Sequence, residues 1–130
     1  MTIPHYDVAI IGSGFSGLGM VIFLKKAGRK DFIILEKAAD IGGTWRDNHY
    51  PGAACDVPSH MYSFSFEQNP DWSRFYSGQA EILAYMKKCA NKYDLMPHFR
   101  GNSELIESRW MEADKHWQLT TGNGDQYTAR

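Results

Sequence analysis

With 130 residues, a net charge of −1 and 43% hydrophobic side chains, the chain has the material for one domain with a modest core. It offers no basic face or Lys/Arg run to nucleic acid or an anionic membrane. Its two cysteines, Cys55 and Cys89, form neither a zinc pattern nor a disulfide framework, so a reducing cytoplasm is the expected compartment.

The opening MTIPHYD has no basic n-region and no apolar h-region, and no apolar run nears the roughly 18 residues that span a bilayer. Neither a targeting signal nor a membrane partner is expected. Residues 6–36, YDVAIIGSGFSGLGMVIFLKKAGRKDFIILE, predict a βαβ unit. An apolar run, Val8 to Ile11, enters a glycine turn. A helix from about Gly14 to Ala27 follows, with Leu18, Val21, Ile22 and Leu24 inward and Gly28 as its cap. Lys25, Lys26, Arg29 and Lys30 read as its solvated end. A second apolar run, Phe32 to Leu35, ends on Glu36.

Each glycine of GSGFSG has a mechanical task. Gly12 lets the strand turn, Gly14 clears space for backbone amides to approach a pyrophosphate, and Gly17 lets the helix lie close to the sheet. The anion would sit on the helix N-terminus, where free N–H groups and roughly half a positive charge favour it. Glu36 stands at the interval expected for a carboxylate that binds an adenosine ribose, and it repels a 2′-phosphate. The ligand implied is an unphosphorylated ADP moiety, as in FAD or NAD. Gly12, Gly14, Phe15, Ser16, Gly17 and Glu36 are the candidate cofactor-binding residues of this unit.

Residues 37–66 are too rich in Gly, Pro and small side chains for regular structure, and a loop of that length in a compact domain is usually functional. Its Gly42, Gly43 and Thr44 offer a second set of close-approach amides. Tyr62, Phe64 and Phe66, alternating with serines, predict a short strand. These rings, with Trp72, Phe75 and Tyr76, are read as core packing. Ser77 is placed to cap a helix from about Gly78 to Tyr93, with Glu81 in its first turn and Ile82, Leu83, Met86, Ala90 and Tyr93 at helical spacing. Strand-like pieces at about 103–110, 115–121 and 126–130, separated by MEAD and GNGD, predict an antiparallel meander.

Taken together, GSGFSG, Glu36, GGTWRDN, YPGAACD and NPDWSRFYS resemble the N-terminal part of Baeyer–Villiger-type flavoprotein monooxygenases, over essentially the whole chain. The resemblance implies a domain that binds FAD within an enzyme that takes a hydride from NADPH and oxygenates ketones or related carbonyl compounds with O2. By position, Glu36 would hold the adenosine ribose, and Gly43, Thr44 and Trp45 would follow the FAD diphosphate and ribityl. Asp56 and Tyr62 would lie close to the flavin, and the Leu105 backbone would reach the adenine. Ala54 departs from the arginine many members carry. Such enzymes are similar in length to a chain of roughly 500 residues, so the NADPH-binding domain is expected outside this segment. The parallel sheet is expected to be incomplete at its C-terminal end, leaving a piece that is marginally stable or self-associating.

Other chemistries are less well supported. His49, Asp56 and His60 lack a recurrent ligand spacing, so no metal is expected, and Cys55 has no partner for a redox pair. Asp56 either orients a cationic group beside the flavin, which makes it the one catalytic candidate, or caps the turn before Val57 and Pro58. The fold expected is α/β: a Rossmann-like FAD-binding domain over residues 1–130, a parallel sheet with helices on both faces, plus the meander. Alternatives are a heteroatom-oxidising or N-hydroxylating flavoprotein and a non-catalytic dinucleotide-binding module.

Overall fold

A computed structural model describes residues 2–130. The organising unit is parallel. β2 (Val8–Ile11) and β3 (Phe32–Leu35) pair from Val8↔Phe32 to Ile11↔Leu35, linked by α1 (Phe15–Lys26), and β4 (Phe99–Arg100) adds to the far side of β3. The short β1 (His5–Tyr6) precedes them. All four residues of β3 are buried. An uninterrupted apolar run is what a central parallel strand requires, because both of its faces are covered.

What covers the two faces differs from expectation. Ile10, Phe32 and Ile34 pack on Leu18, Val21 and Ile22 of α1 and on Ile82, Met86, Cys89 and Ala90 of α3 (Gln79–Lys92). The expected placement of helices on both faces is therefore corrected, since α1 and α3 share one face and pack on each other. The opposite face, Ile33 and Leu35, meets Leu119, Tyr127 and Ala129 of the meander. That meander is β5 (Leu105–Met111), β6 (His116–Thr121) and β7 (Gln126–Ala129), antiparallel as expected, and β1 closes it by pairing in parallel with β7. The Rossmann-like fold thus has three layers: helices, parallel sheet, antiparallel sheet.

Four local expectations are also corrected. Residues 62–66 form no strand; after a 3-10 turn at Ser59–Met61 the chain wraps over α1, with Phe64 and Phe66 stacked at 5.0 Å. The alternation is real, but its rings pack on Phe15 and Phe23 of α1 rather than on a strand partner. Ser77 does not cap α3, whose N-cap is Gly78; the buried Ser77 hydroxyl bonds that of Ser59 at 2.6 Å. Trp72 is buried, whereas Phe75 and Tyr76 are exposed, outside the core. Nor is the end of α1 merely solvated. Lys25 Nζ donates to the carbonyls of Tyr93 and Asp94 at 2.8 and 2.7 Å, tying α1 to the C-terminus of α3.

Candidate functional site

The site forms where β2 and β3 end. Gly12 leaves β2 with φ +93°, and a Cβ on Gly17 would stand 2.1 Å from the Gly12 carbonyl oxygen, so α1 begins directly against the turn. Its N-cap, Gly14, has no side-chain hydrogen bond, and no acidic residue sits in the first turn. The free amides of that turn keep their attraction for an anion.

Between the glycines, Ser13 is fully buried and makes three connections. Its amide and hydroxyl donate to Glu36 Oε2 at 2.9 and 2.6 Å, and its carbonyl accepts from the Gly42 amide at 3.0 Å. Glu36 is itself 3% exposed. Its Oε1 accepts from the Ala38 amide at 3.1 Å and lies 3.4 Å from the Arg46 guanidinium. Burial opposes the charge, yet the Ser13 hydroxyl, the Ala38 and Ser13 amides and Arg46 outweigh it and hold the pKa below the ordinary glutamate value. The carboxylate is ionised and aimed. Its backbone is fixed too, donating to the Arg100 carbonyl and accepting from the Ser103 amide.

Across from this turn stands the second glycine loop. Gly43 (φ +54°) faces Gly14 so closely that a Cβ on it would be 3.0 Å from Gly14 Cα, and Thr44 opens the short helix α2 (Thr44–Asp47). Between the two loops lies a cleft of about 440 Å³, lined by Gly12, Gly14, Glu36, Gly43, Thr44 and Leu105 among others. Those six are all sequence-predicted site residues.

The remaining candidates separate. Phe15, Trp45 and Tyr62 form an aromatic group beside the start of α1. Trp45 Nε1 donates to the Tyr62 hydroxyl at 2.9 Å, and the rings of Phe15 and Tyr62 meet edge-on at 5.1 Å. Phe15 and Tyr62 also line a smaller hollow of about 210 Å³. Ser16 is exposed on the first turn of α1, and Gly17 serves the helix–turn contact. Asp56 is exposed and lines neither cavity. The turn after it is held instead by the Val57 amide donating to Cys55 Sγ at 3.3 Å, which removes the capping role weighed for Asp56.

Sequence reasoning missed Ser13 and Arg46. A hydroxyl between two glycines of a phosphate turn, with a carboxylate at the end of the adjacent strand, was the available signal for Ser13. The parallel register puts Ile11 opposite Leu35, so that Ser13, two residues after Ile11, comes beside Glu36, one residue after Leu35. Among the described residues, no group of three or more His, Cys, Asp and Glu is placed to hold a metal ion, and no helix is long and apolar enough to cross a membrane.

These residues fit the adenosine diphosphate half of a dinucleotide. Uncapped amides at the start of α1, a cleft kept clear by two glycines and a buried carboxylate are the groups that a diphosphate and a ribose would require. Comparison with known proteins agrees. A family model described as an NAD(P)-binding Rossmann-like domain matches residues 10–78. A Baeyer–Villiger monooxygenase of Pseudomonas aeruginosa is 54% identical over 96% of this chain, and one of Streptomyces coelicolor is 51% identical over 92% of it. Cyclohexanone monooxygenase from Rhodococcus sp. Phi1 bound to NADP+ superposes with a TM-score of 0.93 at 35% identity over 98% of the chain. An oxidized steroid monooxygenase bound to NADP gives 0.91 at 36% over 96%. The chain spans 24% and 23% of the two bacterial relatives and 25% of each of these structures.

Proposed function

Because this chain belongs to the family of NAD(P)-binding Rossmann-like domains, we propose that it is the FAD-binding portion of an NADPH-dependent flavin monooxygenase acting on ketones or related carbonyl compounds. The observation that carries the reading is Glu36. A glutamate 3% exposed, charged, and held by Ser13 and Ala38 at the floor of a glycine-lined cleft has the chemistry of a ribose acceptor. The names of the bacterial relatives support the oxygenation, and the NADP in the two solved structures supports the second cofactor.

The bound flavin supplies the oxygen chemistry, using electrons from NADPH and O2. The residues of this chain bind and orient it. Glu36 takes the ribose hydroxyls, the α1 amides with Gly14, Phe15, Ser16 and Gly17 receive the diphosphate, and Gly43, Thr44 and Trp45 continue along it. The Leu105 backbone meets the adenine. Tyr62, fixed by Trp45, shields the flavin side from water, and Asp56 orients a cationic group beside it. Residues 1–130 make up one FAD-binding domain, the NADPH-binding domain lies in other parts of the protein, and the protein works in the cytoplasm on a small carbonyl substrate.

The test is the identity of the cofactor. The full-length protein is expected to purify yellow and to release FAD on heat denaturation, resolved by chromatography. Release of FMN, or a colourless protein that takes up no FAD, overturns the reading.

A further inference from the structure

Loop 40–47 carries Gly43 and Thr44 to the cleft, and one side chain within it reaches back to the ribose carboxylate. Arg46 is only 17% exposed. Its Nη1 donates to the Asp40 carbonyl at 2.7 Å, its Nε to Asp47 Oδ1 at 2.9 Å, and Nη1 lies 3.4 Å from Glu36 Oε1. The first two contacts are aligned hydrogen bonds that bind the guanidinium to its own loop. The third is an ion pair at longer range, which leaves Oε1 a direction free for a hydroxyl donor.

The loop is fixed at its other side as well. Asp40 Oδ2 pairs with Lys87 of α3 at 3.0 Å, and Gln79 of α3 donates to the Trp45 carbonyl. Gly42 makes room for the arrangement, since a Cβ there would come within 2.9 Å of Arg46 Cβ. The glycine loop is thus held as a unit on α3, with one guanidinium as its direct side-chain link to Glu36 and the Gly42–Ser13 hydrogen bond as an indirect one.

We propose that Arg46 is a positioning residue for the adenosine end of the cofactor: it joins the Gly43–Thr44 loop to the Glu36 carboxylate, so that the diphosphate and ribose subsites are held at one spacing. The inference rests on the reading of Glu36 as the ribose acceptor. Lysine cannot replace it fully, because a single ammonium on a flexible stem cannot span Asp40, Asp47 and Glu36 at once.

The experiment uses full-length protein stripped of flavin and titrated with FAD and with ADP. Arg46→Met is expected to weaken both by about tenfold, and Arg46→Lys to recover about half of that loss on a logarithmic scale. FMN, which lacks adenosine, is expected to bind all Arg46 variants equally. In a Glu36→Gln background, Arg46→Met is expected to cost little more, because the link has already lost its charge. Unchanged FAD affinity in Arg46→Met, an Arg46→Lys no better than Arg46→Met, or the same loss with Glu36→Gln in place would each overturn the proposal. Should Arg46→Met fail to fold, Arg46→Lys in the two backgrounds decides: wild-type FAD affinity in Arg46→Lys, or a loss unchanged by Glu36→Gln, overturns it. Glu36→Gln alone separates the two readings. If it leaves FAD binding intact, the ribose assignment fails, whereas if it weakens FAD and Arg46→Met does not, only the role of Arg46 fails.

Discussion

The Ser13 hydroxyl donates to Glu36 Oε2 at 2.6 Å, with both residues buried and 23 positions apart in the chain. This contact joins the exit of one parallel strand to the end of the next, at the point where a nucleotide would lie. Removing one partner leaves the other without its match in a dry place. Ser13→Ala is expected to lower stability by about 1.5–3 kcal/mol, the range for a hydrogen bond to a charged group. It should also weaken FAD binding, through a carboxylate no longer held in place. Urea unfolding with FAD titration checks both, and wild-type values for the two would exclude this role.

Glu36→Ala acts on both ligand and fold. Loss of one or two charge-assisted hydrogen bonds to the ribose should weaken FAD by about 1.5–3 kcal/mol, roughly tenfold to a hundredfold. The Ser13 and Ala38 donors are orphaned at the same time, so the melting temperature should fall even without flavin. A variant with normal flavin affinity would refute the ribose assignment, and one with a normal flavin-free melting temperature would refute the structural part.

Glu36 also sets an acid limit. Its native pKa is below the ordinary 4.5, so the folded state favours the charged form and binds fewer protons than the unfolded chain. The stabilisation is complete above that value and is lost as the pH falls below it through the depressed native pKa. The stability gap between wild type and Glu36→Gln should be constant at neutral pH and close below about 4.5. A gap that widens on acidification would contradict the ionised assignment.

Gly14 and Gly17 should respond in opposite ways to one methyl group. At Gly17 it would stand 2.1 Å from the Gly12 oxygen, whereas at Gly14 the nearest atom is Gly43 Cα at 3.8 Å. Gly17→Ala is expected to destabilise the flavin-free protein by about 1–3 kcal/mol or more. Gly14→Ala should cost about 1 kcal/mol or less yet impair flavin loading. Circular dichroism melts alongside flavin occupancy separate them, and full FAD occupancy in Gly14→Ala would reduce that glycine to a turn residue.

The outer edge of β2 supplies a different expectation. β2 ends its sheet, Ile11 is 53% exposed, and a groove of about 410 Å³ runs beside it past Val8, Trp117, Leu119 and Ala129. An apolar strand edge of this kind invites pairing. The 130-residue chain produced alone is expected to self-associate, to bind FAD weakly and to show no NADPH-dependent oxygen uptake. A monodisperse monomer by light scattering, or turnover of any ketone, would contradict this.

The parallel unit was readable because its signals are local and redundant. Apolar runs bounded by Asp7 and Gly12 and by Asp31 and Glu36 placed β2 and β3 at their observed limits, and α1 and α3 differ from expectation by a residue at each end. Contacts made only in three dimensions were not readable. Phe64 and Phe66 alternate like a strand, yet Phe64 fits over Gly19 of α1, where a Cβ would come within 3.0 Å of its ring. Ser77 has the chemistry of a helix cap, but Ser59, 18 residues earlier, offers a buried hydroxyl partner and takes it. Likewise the helices share one face because the meander, far along the chain, already covers the other. In the cleft, the glycines and Glu36 were legible from spacing alone, while Ser13 and Arg46 show their roles only once the two loops face each other.

Strand β1 pairs with β7, matching His5 to Thr128 and Tyr6 to Ala129. During synthesis, β2 and β3 can pair across α1 as soon as the residues from Val8 to Leu35 leave the ribosome. The second sheet cannot close then, because its first strand must wait for Thr128 and Ala129 of β7, His5 and Thr128 being 123 positions apart. Closure across so long a stretch is slow, and until then Ile33 and Leu35 have no cover on the meander side. In the interval between the two events that face is open to chaperones and to aggregation, for at least as long as translation takes to reach β7.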